Sequence, residues 1–184
     1  MKTNALLFIP GCWVLFFIHL AGCQPAPQSP VAPNTTGDEY LLLAEDPASG
    51  AYGYYNHKGE LVVPFGKYAM CLTDTFRTHA VVLKEKDFVV IDRQETVLYQ
   101  VFKYDNGPDF SADGLFRIVQ NGKIGYADAA TYQVVIQPQF DCAFPFEDGI
   151  AKVSNNCKTE KQGEHSIWSS DDWKMIDKRG NIVQ

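Results

Sequence analysis

Apolar and polar residues change places over short runs along most of this chain, and no run is long enough for a helix. "HAVVL" (79–83), "FVVI" (88–91), "LFRIV" (115–119) and "IAKVS" (150–154) are rich in β-branched residues and flanked by turn formers, the pattern of strands. Beyond residue 38 no stretch sustains apolar positions at i, i+3 and i+4 between caps, so little helix is predicted. "FRIVQNGKIGYA" reads as a hairpin, because Asn121-Gly122 favours the type I′ turn. "NHKGEL" and "DKRGNI" read as slightly longer hairpin loops, each with a glycine for a left-handed position. "AVVL" and "FVVI" are apolar on both faces, which predicts neighbours on both sides of the strand.

The pattern repeats. "YGYYNHKGELVVP", "DFVVIDRQETVLYQ", "IGYADAATYQVVIQP" and "WKMIDKRGNIV" each run from an aromatic or apolar start to a polar marker, a short turn and an apolar strand. The markers are Asn56, Asp92, Asp128 and Asp177; the first three lie 36 residues apart and the last a further 49. The longer gap holds an insertion of about a dozen residues within "NNCKTEKQGEHSIWSSDD". Each unit reads as three antiparallel strands. "YLLLA" at Tyr40 supplies the first strand of the first unit, and "NIV" the third strand of the last.

These segments resemble the WG repeat of bacterial proteins, which opens on Trp-Gly-Tyr-Ile-Asp, continues through Val-Ile-Pro-Pro and ends on an acidic residue, Gly and a strand. The third copy carries the resemblance best, in Ile124-Gly125-Tyr126-Ala127-Asp128, Val135-Ile136-Gln137-Pro138 and Phe146-Glu147-Asp148-Gly149-Ile150-Ala151. No intact Trp-Gly pair survives: Tyr52-Gly53, Ile124-Gly125 and Trp173-Lys174 stand in its place, and the second copy lacks the turn glycine and the proline. The fold expected is all-β, a tandem array of about four three-stranded antiparallel units, with an open twisted array favoured over a closed small propeller. Trp173 takes the aromatic position of the repeat and is expected in the core. In the repeat, "FEDG" (146–149) is the turn before a strand and is matched by "ADG" (112–114). Its acids therefore read as turn residues, with Asp bonding its own backbone and Gly at positive φ, and not as a catalytic pair.

The N-terminus has a different composition. Lys2 precedes an apolar run from Ala5 to Leu20, interrupted by Pro10, Gly11 and His19, and Leu20-Ala21-Gly22-Cys23 follows. A positive start, an apolar centre and small residues before a cut form a secretory leader. The cysteine makes the segment resemble the lipobox of bacterial lipoproteins, in which cleavage precedes the cysteine and its sulfur takes a diacylglycerol. That resemblance implies a leader over 1–22 and lipidation at Cys23. Gln24, in the place of aspartate, implies sorting to the outer membrane. "QPAPQSPVAPNTTGD" has four prolines and too little apolar surface to fold, so 23–38 reads as a lipidated tether and 39–184 as the repeat domain.

Charge and cysteine usage narrow the function. The 22 acidic residues outnumber the 16 basic ones, for a net charge of −6, and no basic stripe appears, which argues against nucleic acid as a partner. Once Cys12 leaves with the leader and Cys23 is acylated, Cys71, Cys142 and Cys157 remain, and in an oxidising envelope any one pair can join. No nucleophile elbow, zinc-protease motif, phosphate loop or dinucleotide fingerprint is present, so neither a nucleotide, a metal nor another cofactor is expected. The insertion is the one break in the repeat. Its Trp168, His165, Asp171 and Asp172 are the candidate binding residues, because long loops on rigid scaffolds carry function. The expected function is that of a non-catalytic, lipid-anchored envelope protein that binds a protein or glycan. The alternative is an envelope hydrolase using paired carboxylates. Aromatic and acidic side chains converging in one deep cleft would favour the alternative.

Replacing Cys23 with Ala is expected to leave unprocessed precursor and to abolish labelling by a palmitate analogue in cells. Normal labelling of that variant would remove lipidation from the account.

Overall fold

A computed structural model describes residues 39–163 and 165–183. Cys23, the leader over 1–22 and the tether over 23–38 lie outside the described residues. Those described are all-β, with no helix among them.

The four units appear in chain order. The first is β1 (Leu41–Glu45), β2 (Tyr52–Asn56) and β3 (Leu61–Val63), followed by the short β4 (Met70–Cys71) and β5 (Thr75–Phe76). The second is β6 (His79–Lys84), β7 (Asp87–Asp92) and β8 (Val97–Val101), followed by a small ribbon of β9 (Lys103–Tyr104) and β10 (Gly107–Pro108). The third is β11 (Leu115–Gln120), β12 (Lys123–Asp128) and β13 (Val134–Phe140), and then comes β14 (Cys142–Ala143). The fourth pairs β15 (Ile150–Ser154) with β18 (Lys174–Asp177), and between these two lie β16 (Lys158–Gln162) and β17 (His165–Ser169).

The sheets are open and none closes into a barrel. The first unit forms the sheet β3-β2-β1-β5. The second and third units share one sheet of seven strands, β13-β12-β11-β8-β7-β6-β4, because β8 pairs with β11. The fourth forms β14-β15-β18. Two expectations need correction. The last "NIV" makes a single bridge, Ile176 to Ile182, in place of a third strand. The insertion is no loop: β16 and β17 pair over five residues as a regular hairpin.

Three cores lie between consecutive units. Tyr54, Phe76, Val82, Val89 and Ile91 join the first to the second; Phe88, Val90, Val101, Phe116 and Ile118 the second to the third; Tyr126, Ile136, Phe146, Val153 and Ile176 the third to the fourth. In β7, Val89 and Ile91 therefore serve one core while Phe88 and Val90 serve the next, which is why that strand is apolar on both faces.

The recurring sequence positions have recurring causes. Each polar marker caps its own hairpin. The Asn56 side-chain oxygen accepts from the Lys58 and Glu60 amides, Asp92 from those of Gln94 and Thr96, Asp128 from Ala130 and Thr131, and Asp177 from Arg179 and Asn181, all at 2.7–3.0 Å. The second unit lacks a glycine at the left-handed position of this turn, and Glu95 stands there with φ 60°. Its carboxylate accepts from Lys67 Nζ at 2.7 Å and from the Tyr68 hydroxyl at 2.8 Å, so the side chain that strains the turn also ties it to the first unit.

The glycine of the repeat's opening pair has a steric cause. The third strand crosses directly over Gly125, where a β-carbon would collide with the Ile136 carbonyl and sit 2.6 Å from the Pro138 nitrogen. Pairing shifts register at that point, from Ile124 opposite Phe140 to Tyr126 opposite Ile136. Gly53 is crossed in the same way, with the Val63 carbonyl 2.7 Å from a β-carbon built there. In the second unit the crossing is absent: Val89 replaces the glycine and pairs regularly with Gln100. The second unit has neither the glycine nor the proline of the crossing strand.

Among the described residues one ion pair is buried. The side chains of Arg117 and Asp109 are 3% and 1% exposed, low enough that each is the other's main source of solvation. Arg117 donates from Nη2 to Asp109 Oδ1 at 2.5 Å and from Nε to Oδ2 at 2.9 Å, and Nη1 donates to the Ala143 carbonyl at 3.1 Å. The Arg117 amide also donates to Asp109 Oδ2 at 2.8 Å. Arg117→Met leaves the Asp109 carboxylate buried and unpaired, and is expected to cost about 3–5 kcal/mol in urea melts. Adding Asp109→Leu to that variant is expected to restore most of the loss, since no lone charge remains.

Acid should weaken the hairpin caps. Hydrogen bonds from Thr131 hold the Asp128 carboxyl below its ordinary value of 3.8. Because the folded pKa is the lower one, the contribution is present above the unfolded value and fades as pH falls through the folded value. Asn56 shows that an amide oxygen makes the same cap. Asp128→Asn is therefore expected to keep stability at neutral pH and to flatten its decline below about pH 4, read from melts across pH.

Candidate functional site

The segments that link units two to three and three to four are irregular and aromatic. "VFKYDNGPDF" (101–110) leaves β8, turns through the β9–β10 ribbon and places Phe102, Tyr104 and Phe110 on one side of the domain. Phe144 and Pro145 follow β14, and Ile167 and Trp168 come from β17. Together these residues line one cleft of about 590 Å³, with Arg117 also in its wall. Tyr104 is 56%, Phe110 55% and Phe144 38% exposed; among the described residues these are the exposed aromatic side chains, and all three line this cleft. Aromatic surface left open in one place is the usual mark of a binding site.

The rings are arranged edge to face. Tyr104 and Phe110 lie 5.8 Å apart at 84°, Phe144 and Trp168 5.4 Å apart at 78°, and Phe102 and Trp168 5.8 Å apart at 69°. The Arg117 guanidinium stacks 4.2 Å from the Phe102 ring centre and 5.8 Å from that of Tyr104. Its charge is met by Asp109, so it supports the rings without presenting a free cation. Backbone support comes from Tyr126. Burial raises the pKa of its phenol, which stays protonated and donates to the Phe144 carbonyl at 2.7 Å.

The hairpin that carries Trp168 is fastened at both ends. Cys142, two residues before Phe144, is joined by a disulfide to Cys157, directly before β16. At the other end Ser154 Oγ and Ser170 Oγ are 2.7 Å apart. Bonding Cys142 to Cys157 closes a 15-residue separation, which by chain entropy stabilises the fold by about 3 kcal/mol. Cys71, the third cysteine of the domain, is buried and free, and burial raises its thiol pKa.

Of the four residues singled out in the insertion, Trp168 lines the cleft and packs at 5.4 Å on Phe144. His165 opens β17, and its side chain lies outside the described residues. Asp171 and Asp172 are exposed on the link to β18, where Asp172 pairs with Lys174 at 3.2 Å, and neither lines the cleft. Trp173 is half-buried where a core position was expected: its ring lies 5.5 Å from Phe144, with Lys152 Nζ 4.6 Å from its centre.

The "FEDG" stretch stands apart from the cleft as a turn. Asp148 and Gly149 have φ of 50° and 82°, and Asp113 and Gly114 have 54° and 83°, so the two turns are alike. Asp113 does not bond its own turn as expected. Its carboxylate accepts from the Gly149 amide at 2.6 Å, one repeat later, and its carbonyl accepts from Lys178 Nζ at 2.6 Å. The slot thus links successive units.

Phe102, Tyr104 and Phe110 were not among the residues the sequence reading singled out. The available signal was a run of aromatics set among turn residues with no strand alternation, in the one linker that lacks a repeat match.

Comparison with known proteins yields one similarity. No curated protein and no solved structure matches the chain. Residues 52–70 and 124–158 match the family model described as WG containing repeat. These stretches hold the two glycines that a third strand crosses, Gly53 and Gly125, whereas Val89 and Lys174 stand at the unmatched positions. The similarity to the WG containing repeat thus falls in the first unit and reaches from the third into the fourth.

Proposed function

We propose that this is a non-catalytic protein of the bacterial cell envelope, lipid-anchored through Cys23 at the outer membrane, whose repeat domain binds a protein or glycan in the aromatic cleft. The observation that carries the reading is that every exposed aromatic side chain among the described residues lines that one cleft. A cleft of about 590 Å³ lies within the range of ligand sites. Aromatic residues supply large rigid contact area at low entropic cost. The carboxylate lining the cleft is that of Asp105, and a glycosidase needs two set across a scissile bond. That favours binding over the hydrolase.

The test uses the full chain in detergent, immobilised and exposed to solubilised envelope extract. Tyr104→Ala combined with Phe110→Ala is expected to melt as the wild type does, since both side chains are more than half exposed, yet to lose the retained component. Retention unchanged in that double variant would show that the cleft is not the site.

A further inference from the structure

We infer that the cleft takes an extended, proline-rich segment of polypeptide in the polyproline II conformation, a conclusion that rests on reading the cleft as a binding site. Three features of its lining select this class. The first is shape and surface. Two edge-to-face ring pairs, Tyr104 with Phe110 and Phe144 with Trp168, line a single cleft. Flat pyrrolidine rings pack on such aromatic walls, and a polyproline II chain is already extended, so it loses little entropy on docking.

The second is hydrogen-bonding character. Proline has no amide N–H, so a proline-rich backbone offers mainly carbonyl acceptors. The cleft answers with donors: the Trp168 indole N–H, the Tyr104 hydroxyl and the Lys103 ammonium all belong to lining residues. A glycan makes the opposite demand. Each sugar hydroxyl donates as well as accepts, and the strong side-chain acceptor lining the cleft is the Asp105 carboxylate.

The third is charge complementarity. Arg117 is neutralised by Asp109, and Lys103 is balanced by Asp105 in the same lining. The wall carries no net charge and matches an uncharged occupant, not a phosphorylated or strongly acidic one. Arg117 shapes the site without presenting a free charge to the ligand: its guanidinium stacks on the Phe102 ring, and three of its five N–H groups are taken by Asp109 and Ala143.

The experiment titrates the full chain in detergent with a synthetic decaproline peptide, followed by calorimetry and by tryptophan fluorescence. A glycine-serine peptide of equal length and a soluble chitin oligosaccharide run in parallel. Saturable binding of decaproline is expected, with none by the glycine-serine peptide. Tyr104→Ala and Phe110→Ala are each expected to weaken it by about tenfold. Trp168→Phe is the second probe, because it keeps an aromatic ring and removes the indole donor; it is expected to weaken binding less than Tyr104→Ala does. Oligosaccharide binding that depends on Tyr104, with no decaproline binding, would overturn the ligand class and leave the cleft as a glycan site. Binding by neither would also overturn it, while the envelope-retention result would still decide whether the cleft binds at all. Decaproline binding that survives both Tyr104→Ala and Phe110→Ala would place the peptide elsewhere and overturn the assignment.

Discussion

The Arg117 guanidinium is the interaction on which the middle of this array depends. It starts from β11 in the third unit, binds Asp109 in the linker from the second, and reaches the Ala143 carbonyl in the linker to the fourth. Its face carries the Phe102 ring. One buried cation therefore joins three units and backs the cleft. Such a pair is expensive to desolvate and is not required for stability as such. Its use here is positional. Both linkers are irregular, with few ladder bonds of their own, and a planar five-donor group can hold two of them at set angles where apolar packing would let them slide.

Elsewhere the array is held by small devices that repeat. The capping Asn or Asp closes each hairpin, and the stretch between the markers is long enough to form three strands and a link. The cores lie between units and not within them, so a single unit has no interior of its own. The second unit departs from the pattern in a consistent way. With Val89 in place of glycine, β8 pairs with β7 from Val89 onward, shifting register only between Val90 and Ile91, and its other edge pairs with β11 of the next unit. The first and third units have their third strand bent over the glycine, and there the chain passes to a separate sheet.

The inserted hairpin changes what the scaffold can do. Without it the gap between β15 and β18 would be an ordinary turn, and Phe144 would keep Trp173 as its aromatic neighbour. With it, Trp168 packs on both Phe102 and Phe144. The disulfide from Cys142 to Cys157 ties the root of the hairpin to the strand that leads into Phe144, so the two walls are positioned by one covalent link.

Local features were legible along the chain. The strand runs, the Asn121-Gly122 turn, the four capping residues, the two-faced apolar strands and the acids of "FEDG" as turn residues follow from period, turn chemistry and recurrence at a fixed spacing. Each depends on residues within a few positions of one another, where backbone geometry dictates the outcome. Tertiary structure alone decided the rest. That Cys157 and not Cys71 meets Cys142, and that Phe102, Tyr104, Phe110 and Phe144 share a cleft with Trp168, are pairings across many residues. No periodicity encodes them, because they arise where irregular linkers from different units are brought side by side by the packing of the strands between them.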